Sequence, residues 1–153
     1  MLGHGFDYKQ SAVKMGDVSD GSQEMREGSG LRALVVENDL ASRELLARVL
    51  RRKGLEAYTA IGAAQAATLL VEAPCAFDLL VVDLNIEPVD GVELLRHLAA
   101  LPPEQRPTRV VAIADSLTQF YPRLAQLRME LEVFQKPIHL PSLMKVVEGI
   151  RRR

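Results

Sequence analysis

Short apolar runs alternate with longer segments of helical periodicity from residue 31 to the end of the chain. Three of these runs, rich in Val and Leu, are nearly continuous and cover residues 33–36, 79–82 and 110–114. Continuous apolar runs of this length are typical of strands that are buried on both faces. The pattern therefore predicts a parallel sheet that is covered by helices.

Helical spacing fills the intervals between the strands. Apolar residues between 40 and 50 recur at this spacing, and a basic stretch followed by Gly54 places the end of the first helix near Lys53. Weaker strand patterns cover residues 55–59 and 131–135. Further helices are predicted over residues 63–71 (closed by Pro74), about 90–101, and from Pro141 to about 150.

The pattern for the fourth helix is the least regular. Ser116 and Gln119 form a candidate capping box, in which Ser116 caps the helix. Pro122 removes a backbone donor inside this pattern, so we expect the helix to be displaced or shortened.

The elements form five βα units in series. This alternation predicts an α/β fold in which a doubly wound, five-stranded parallel sheet has helices on both faces. In open sheets of this kind, the ligand crevice lies outside the carboxyl ends of the strands. Functional residues are therefore expected directly after each strand.

Composition separates the first 30 residues from the rest. They contain six of the ten glycines, no sustained apolar pattern and a net charge of −2, which leaves +1 for residues 31–153. A segment with so little apolar surface gains too little from burial to offset the entropy of ordering. We predict a flexible tail over residues 1–30 and one folded domain over residues 31–153.

Charge and cysteine content exclude several classes of protein. The 19 basic residues against 20 acidic ones give no excess for binding nucleic acid directly. The single cysteine, Cys75, can form no internal disulfide and belongs to no zinc-binding cluster. Apolar runs are too short for a membrane helix, and the N-terminus lacks a secretory signal. A cytoplasmic protein is expected.

Acidic residues, other polar residues and one lysine follow the predicted strands. They are Glu37, Asn38 and Asp39 after the first strand, Asp83 and Asn85 after the third, Asp115 and Ser116 after the fourth, and Lys136 after the fifth. Such a cluster of acids needs a cation, and oxygen ligands beside a lysine suit Mg²⁺ and a phosphoryl group. Asp83 is then a candidate nucleophile towards phosphorus, with the charge on the transferring oxygens offset by Lys136.

Three motifs resemble the receiver domain of response regulators: LVVEND at residues 34–39, VVDLNIEPVDG at 81–91, and Lys136-Pro137. The resemblance covers residues 31–153 and implies the strand order 2-1-3-4-5. It also implies that a sensor histidine kinase or a phosphotransfer protein phosphorylates Asp83 and that Lys136 contacts the phosphoryl oxygens. The Mg²⁺ ligands that it implies are Glu37, Asn38, Asp83 and Asn85, the last through its backbone carbonyl.

Four positions depart from the pattern of that family. Asn38 replaces the second acid, which predicts weaker Mg²⁺ binding because one negative charge is missing. Ala114 stands where the family has the Thr or Ser of its switch, and Val133 stands where it has an aromatic residue. Asp115 replaces a small residue, and this anion would either repel a phosphate or join the metal shell. We therefore expect that the surface through which such a domain signals differs from that of the family.

Two functional hypotheses follow. The first is a stand-alone receiver of a bacterial two-component phosphorelay, not an enzyme, that signals to a downstream protein and can form a homodimer as relatives do. The second is a pseudo-receiver that binds a protein partner without regulated phosphorylation. A small phosphatase that uses Asp83 is a third interpretation, but Asn85 stands where such enzymes commonly carry an aspartate as general acid.

Other residues are assigned structural roles. Asp39 is expected to stabilise the start of the first helix and not to bind metal. His4, His97 and His139 have no ligand spacing among them, and Cys75 is interpreted as incidental.

Overall fold

One parallel sheet forms the centre of the computed structural model, which describes residues 30–73 and 76–151, and its strand order is β2-β1-β3-β4-β5. The predicted fold class and strand order are confirmed. The strands are β1 (Arg32–Val36), β2 (Glu56–Ala60), β3 (Leu79–Asp83), β4 (Arg109–Ala114) and β5 (Glu132–Gln135).

A helix follows each strand, as the five βα units require. In the described residues, the helices are α1 (Leu40–Arg52), α2 (Ala63–Glu72), α3 (Gly91–Ala99), α4 (Tyr121–Ala125) and α5 (Leu140–Arg151), and a 3-10 turn covers Pro103–Gln105. α1 ends as predicted, because Lys53 is its C-terminal cap and Gly54 has a φ of +91°. Residues 1–29 of the tail predicted over residues 1–30 lie outside the described residues, as do Pro74, Cys75 and residues 152–153.

The predicted capping box of the fourth helix is wrong. α4 begins at Tyr121, Phe120 occupies its N-cap without a side-chain hydrogen bond, and Ser116 lies in the preceding loop. Pro122 explains the displacement, since its missing N–H and fixed φ suit the first turn of a helix and disfavour the interior. The helix has only five residues, so the expected shortening is confirmed.

Alternate strand residues divide the core into two layers. In β1, Leu34 and Val36 pack with α2, α3 and α4, whereas Ala33 and Val35 pack with α1 and α5. All five residues of β3 are buried, which explains why its sequence is continuously apolar up to Asp83. Both layers end at the same sheet edge, and the polar residues after the strands begin there.

Candidate functional site

The register of the sheet brings the predicted site residues together. Val36 pairs with Val82, so Glu37 and Asp83 emerge from neighbouring strands at the same level. Ala114 pairs with Gln135, and this places Asp115 beside Lys136. The four charged side chains therefore meet at the carboxyl edge of the sheet, as the sequence predicts.

Asp83 is the central residue of this edge. Its side chain is only 2% exposed, and each of its two carboxylate oxygens accepts one hydrogen bond. The Lys136 ammonium donates to Oδ2 at 2.8 Å, and the backbone N–H of Asn85 donates to Oδ1 at 2.9 Å. The predicted charge pairing of Lys136 with the acidic cluster is confirmed.

The backbone behind Asp83 approaches α3 too closely for a side chain. A Cβ atom on Gly91 would lie 2.8 Å from the Leu84 Cα and 2.9 Å from the Asp83 carbonyl oxygen. Asp90 caps α3 by accepting hydrogen bonds from the backbone N–H groups of Val92 and Glu93. Glycine at position 91 thus lets the loop after β3 fold tightly under the nucleophile candidate.

Lys136 lies between two carboxylates. Its Nζ is 2.8 Å from Asp83 Oδ2 and 3.6 Å from Asp115 Oδ1. Partial burial acts to lower the pKa of Lys136, but the hydrogen bond and charge of Asp83 outweigh it, and Glu37 and Asp115 add to the rise. The net effect raises this pKa above its usual value, so Lys136 stays cationic at neutral pH.

Glu37 is the most deeply buried acid of the site, with 1% of the residue exposed. Its Oε2 accepts a hydrogen bond from the backbone N–H of Asp39 at 3.1 Å, while its Oε1 is buried and has no hydrogen-bond partner. Burial is the largest cause that raises the pKa of Glu37 to about 7; the Asp39 N–H lowers it, and the neighbouring Asp83 raises it further. This acid changes its charge near neutral pH.

The two residues after Glu37 have different roles. Asn38 is exposed in the loop between β1 and α1. Asp39 caps α1 by accepting a hydrogen bond from the backbone N–H of Ser42 at 2.9 Å, and this bond is the main cause that lowers the pKa of Asp39. The prediction that Asp39 stabilises the start of the first helix is confirmed.

Asn85 links the loops after β3 and β4, a contact that was not predicted from the sequence. Its side-chain Oδ1 accepts a hydrogen bond from the backbone N–H of Asp115 at 2.8 Å. The Asp115 side chain is 71% exposed and faces Lys136. The only signal in the sequence is an amide placed two residues after Asp83, which gives no indication of its partner.

The two positions at which the resemblance predicts a switch, Ala114 and Val133, carry no polar side-chain group. Ala114 is fully buried, and its backbone carbonyl accepts a hydrogen bond from the Lys136 N–H at 2.8 Å. Val133 is partly buried against the core layer that includes α4. Neither side chain can donate a hydrogen bond to a group bound at Asp83.

An arginine anchors α4 to the beginning of α3, a contact that the sequence pattern does not predict. The Arg123 guanidinium donates to both carboxylate oxygens of Asp90, at 2.7 and 3.0 Å, and to Glu93 at 3.1 Å. Its hydrogen bond to Asp90 is the main cause that lowers the pKa of that acid. Because 33 residues separate the partners, periodicity and spacing do not reveal the pair.

The donor set fits a hard cation such as Mg²⁺. The buried Glu37 Oε1 has no hydrogen-bond partner, and Glu37 lies beside the Asp83 carboxylate. A bound cation would give this oxygen a partner and reduce the repulsion between the two acids. Asn38 and Asn85 offer neutral oxygens only. Among residues 30–73 and 76–151, no group of three acids, histidines or cysteines is arranged to hold a metal.

The sequence comparisons identify the class of protein. The family model of the response regulator receiver domain matches residues 33–148, so the chain belongs to this family and is the receiver domain of a two-component response regulator. It is similar to the response regulator receiver protein CpdR of Brucella abortus, with 29% identity over 120 residues, 76% of this chain and 93% of that protein. The two-component response regulator ARR11 of Arabidopsis thaliana is 35% identical over 69 residues, which span 45% of this chain but only 13% of ARR11.

Solved structures agree with this assignment. The CheY-like receiver domain from Methylobacillus flagellatus superposes with a TM-score of 0.67 and 25% identity, covering 78% of this chain and 98% of that one. The receiver domain of the hybrid histidine kinase CckA gives a TM-score of 0.61 with 27% identity, over 78% of this chain and 97% of that one. In the described part of the chain, no helix is long and apolar enough to span a membrane.

Proposed function

We propose that this receiver domain accepts a phosphoryl group on Asp83 from a sensor histidine kinase or phosphotransfer protein and passes the signal on through protein contacts. The observation that carries the proposal is the buried Asp83 carboxylate with the Lys136 ammonium 2.8 Å away. A carboxylate can attack phosphorus, and a fixed cation offsets the charge that develops on the transferring oxygens. The hydrogen bond from the Asn85 N–H fixes the orientation of the carboxylate.

Mg²⁺ would be held by Glu37, Asp83, the amide oxygen of Asn38 and the backbone carbonyl of Asn85. When bound, the ion supplies positive charge next to the phosphoryl oxygens. Because Asn38 brings no charge, the ion would bind more weakly than at a site with two acids after β1. The half-ionised Glu37 adds a pH dependence, since only its carboxylate form binds a cation well.

An open cavity of about 440 Å³ adjoins the site on the side of α1 and α5. Glu37 and Lys136 line it next to apolar side chains of α1 and the β5–α5 loop, including the half-exposed Leu45. Apolar side chains around two charged ones are typical of a surface that binds another protein. Here that protein would carry the phosphoryl group to be transferred. This supports a protein donor in addition to small phosphoryl compounds.

Intact-mass spectrometry with acetyl phosphate and Mg²⁺ tests the proposal. We expect the wild-type mass to increase by one phosphoryl group and the Asp83→Asn mass to stay unchanged. Asp78→Asn is the matched control: Asp78 precedes β3 at the opposite edge of the sheet, and this variant should be labelled like the wild type. A wild-type chain that stays unlabelled, or a labelled Asp83→Asn chain, would contradict the proposal.

A pseudo-receiver is the second candidate, and the switch positions favour it. Ala114 and Val133 offer no hydrogen-bonding group, and Asp115 already places an anion beside Lys136. Such a domain would bind its protein partner equally well with and without a phosphoryl donor. Equal affinity of wild-type and folded Asp83→Asn protein for the partner, with and without acetyl phosphate, would support this function over the first.

A further inference from the structure

Four residues at the carboxyl edge form a closed ring of contacts. Asn85 donates its backbone N–H to Asp83 Oδ1 at 2.9 Å and accepts the backbone N–H of Asp115 at 2.8 Å. Lys136 closes the ring, with its Nζ 2.8 Å from Asp83 Oδ2 and 3.6 Å from Asp115 Oδ1. The ring ties together the ends of β3, β4 and β5.

The contact between Lys136 and Asp115 is the weakest link of this ring. It is the longest of the four contacts, and the Asp115 side chain is 71% exposed, whereas Asp83 is 2% exposed. Exposed ion pairs contribute little because water screens them, and the buried partner holds the lysine more firmly. A new charge at Asp83 would therefore open the ring at Asp115.

The position of Asp115 also decides between two roles. Its carboxylate lies on the lysine side of Asp83, in contact with Lys136, and Glu37 with its unpaired oxygen lies at the end of β1. In the sheet order β1-β3-β4-β5, the strand that ends in Asp83 lies between the strands that Glu37 and Asp115 follow. Asp115 is thus placed to compete for the lysine and not to complete the metal shell.

We propose that Asp115 is a positioning residue that occupies Lys136 as an internal counter-anion in the resting state and is displaced from it when Asp83 is phosphorylated. The inference rests on the proposed function. With acetyl phosphate, an Asp83 oxygen forms a bond to phosphorus while the bond from phosphorus to the acetate oxygen breaks, and acetate leaves with that electron pair. The site then carries about two negative charges in place of one.

This arrangement gives the loop after β4 a response that needs no hydroxyl at Ala114. The added charge at Asp83 repels the Asp115 carboxylate and draws Lys136 away from it. α4 is held at Arg123 by Asp90 and Glu93, so the displacement is confined to the loop over residues 115–120. Position 114, where the family has a hydroxyl that is attracted to the phosphoryl group, is an alanine here, and the responding side chain is Asp115 at the next position, which is repelled.

Phosphorylation rates with acetyl phosphate and Mg²⁺ test the inference in wild type, Asp115→Asn and Asp115→Glu. The two contact distances put the Asp115 and Asp83 oxygens within about 6.4 Å of each other. At this range, repulsion of an incoming anion slows its reaction about three- to tenfold. We expect Asp115→Asn to react faster by this factor and Asp115→Glu to resemble the wild type.

Ionic strength separates a charge effect from a structural one. The ratio of the phosphorylation rate of Asp115→Asn to that of the wild type should decrease between about 0.02 M and about 0.5 M salt, because screening shortens the range of the repulsion. Glu104→Gln, which removes one negative charge before β4 at the opposite sheet edge, should leave the rate unchanged. Hydrogen exchange over residues 115–120 should increase on phosphorylation in the wild type and not in Asp115→Asn.

The outcomes distinguish this inference from the proposed function. If the wild type is labelled on Asp83 and Asp115→Asn reacts no faster, or its gain is independent of salt, the inference is overturned and the proposed function stands. If no variant is labelled, the proposed function fails and the inference fails with it. If Asp115→Asn is phosphorylated faster than the wild type, Asp115→Glu is not, and the increase in rate falls with added salt, both the proposed function and the inference are supported.

Discussion

Replacing Glu37 by Gln tests the electrostatics of the site without any phosphoryl donor. Glu37 is 1% exposed, one of its oxygens has no hydrogen-bond partner, and its pKa is raised to about 7 from its ordinary value of 4.5. The folded protein therefore binds a proton at Glu37 more tightly than the unfolded chain does. The stability that this proton contributes is complete below pH 4.5 and is lost as the pH rises through about 7.

The size of the effect follows from the shift. One pKa unit corresponds to about 1.4 kcal/mol, so the ionised Glu37 lowers the free energy of unfolding by up to about 3 kcal/mol above pH 7. Gln is neutral at every pH and avoids this cost. The stability advantage of Glu37→Gln over the wild type should therefore grow by about 2 kcal/mol or more between pH 5 and pH 7.5.

Urea unfolding without metal, at several pH values between 5 and 7.5, measures this difference. Glu104→Gln is the control, because it makes the same substitution at an exposed position away from the site. The test is how the difference in the free energy of unfolding changes with pH. Its absolute value is not used, because the Gln amide can shift the stability of the variant by the same amount at every pH. A difference between wild type and Glu37→Gln that stays constant over this range would refute the argument.

Three further substitutions test the geometry around the site. Asn38→Asp should tighten Mg²⁺ binding about tenfold in a calorimetric titration, because it restores one charge to the donor set. Gly91→Ala should lower the free energy of unfolding by about 1–3 kcal/mol through the contacts at 2.8 and 2.9 Å, whereas Gly62→Ala, whose Cβ would meet only an atom at 3.8 Å, should cost far less. Arg123→Ala should cost about 1 kcal/mol or less and speed hydrogen exchange in α4, because it breaks the half-exposed pair with Asp90. The first prediction is contradicted if Asn38→Asp binds Mg²⁺ no more tightly than the wild type. The second is contradicted if both glycine variants lose the same free energy of unfolding, and the third if hydrogen exchange in α4 is unchanged in Arg123→Ala.

The sheet and the positions of its acids follow from local patterns in the sequence. Continuous apolar runs identified β1, β3 and β4, and parallel strands necessarily bring their carboxyl ends to one edge. Glu37, Asp83 and Lys136 could therefore be placed together before their distances were known. The cationic end of α1 with Gly54 was equally local, since a left-handed cap is specified by a few neighbouring residues.

The features that the sequence predicted wrongly or not at all depend on contacts between segments far apart in the chain, or on two local signals that favour different helix starts. Ser116 had the residue type of a cap, but Pro122 determined where α4 starts. The hydrogen bond from Asp115 to Asn85 joins residues 30 apart. Burial of Glu37, which sets its pKa, depends on packing that its own neighbours in sequence do not reveal.

Transfer from a phosphorylated histidine kinase or phosphotransfer protein is the most direct test of the central claim. The cognate donor, labelled on its histidine, is mixed with wild-type or Asp83→Asn protein in the presence of Mg²⁺, and intact masses are followed over time. We predict that the wild type gains one phosphoryl group, located to the peptide that contains Asp83, while the variant gains none. A wild-type mass that never changes with the cognate donor would contradict the claim that Asp83 is the phosphoryl acceptor.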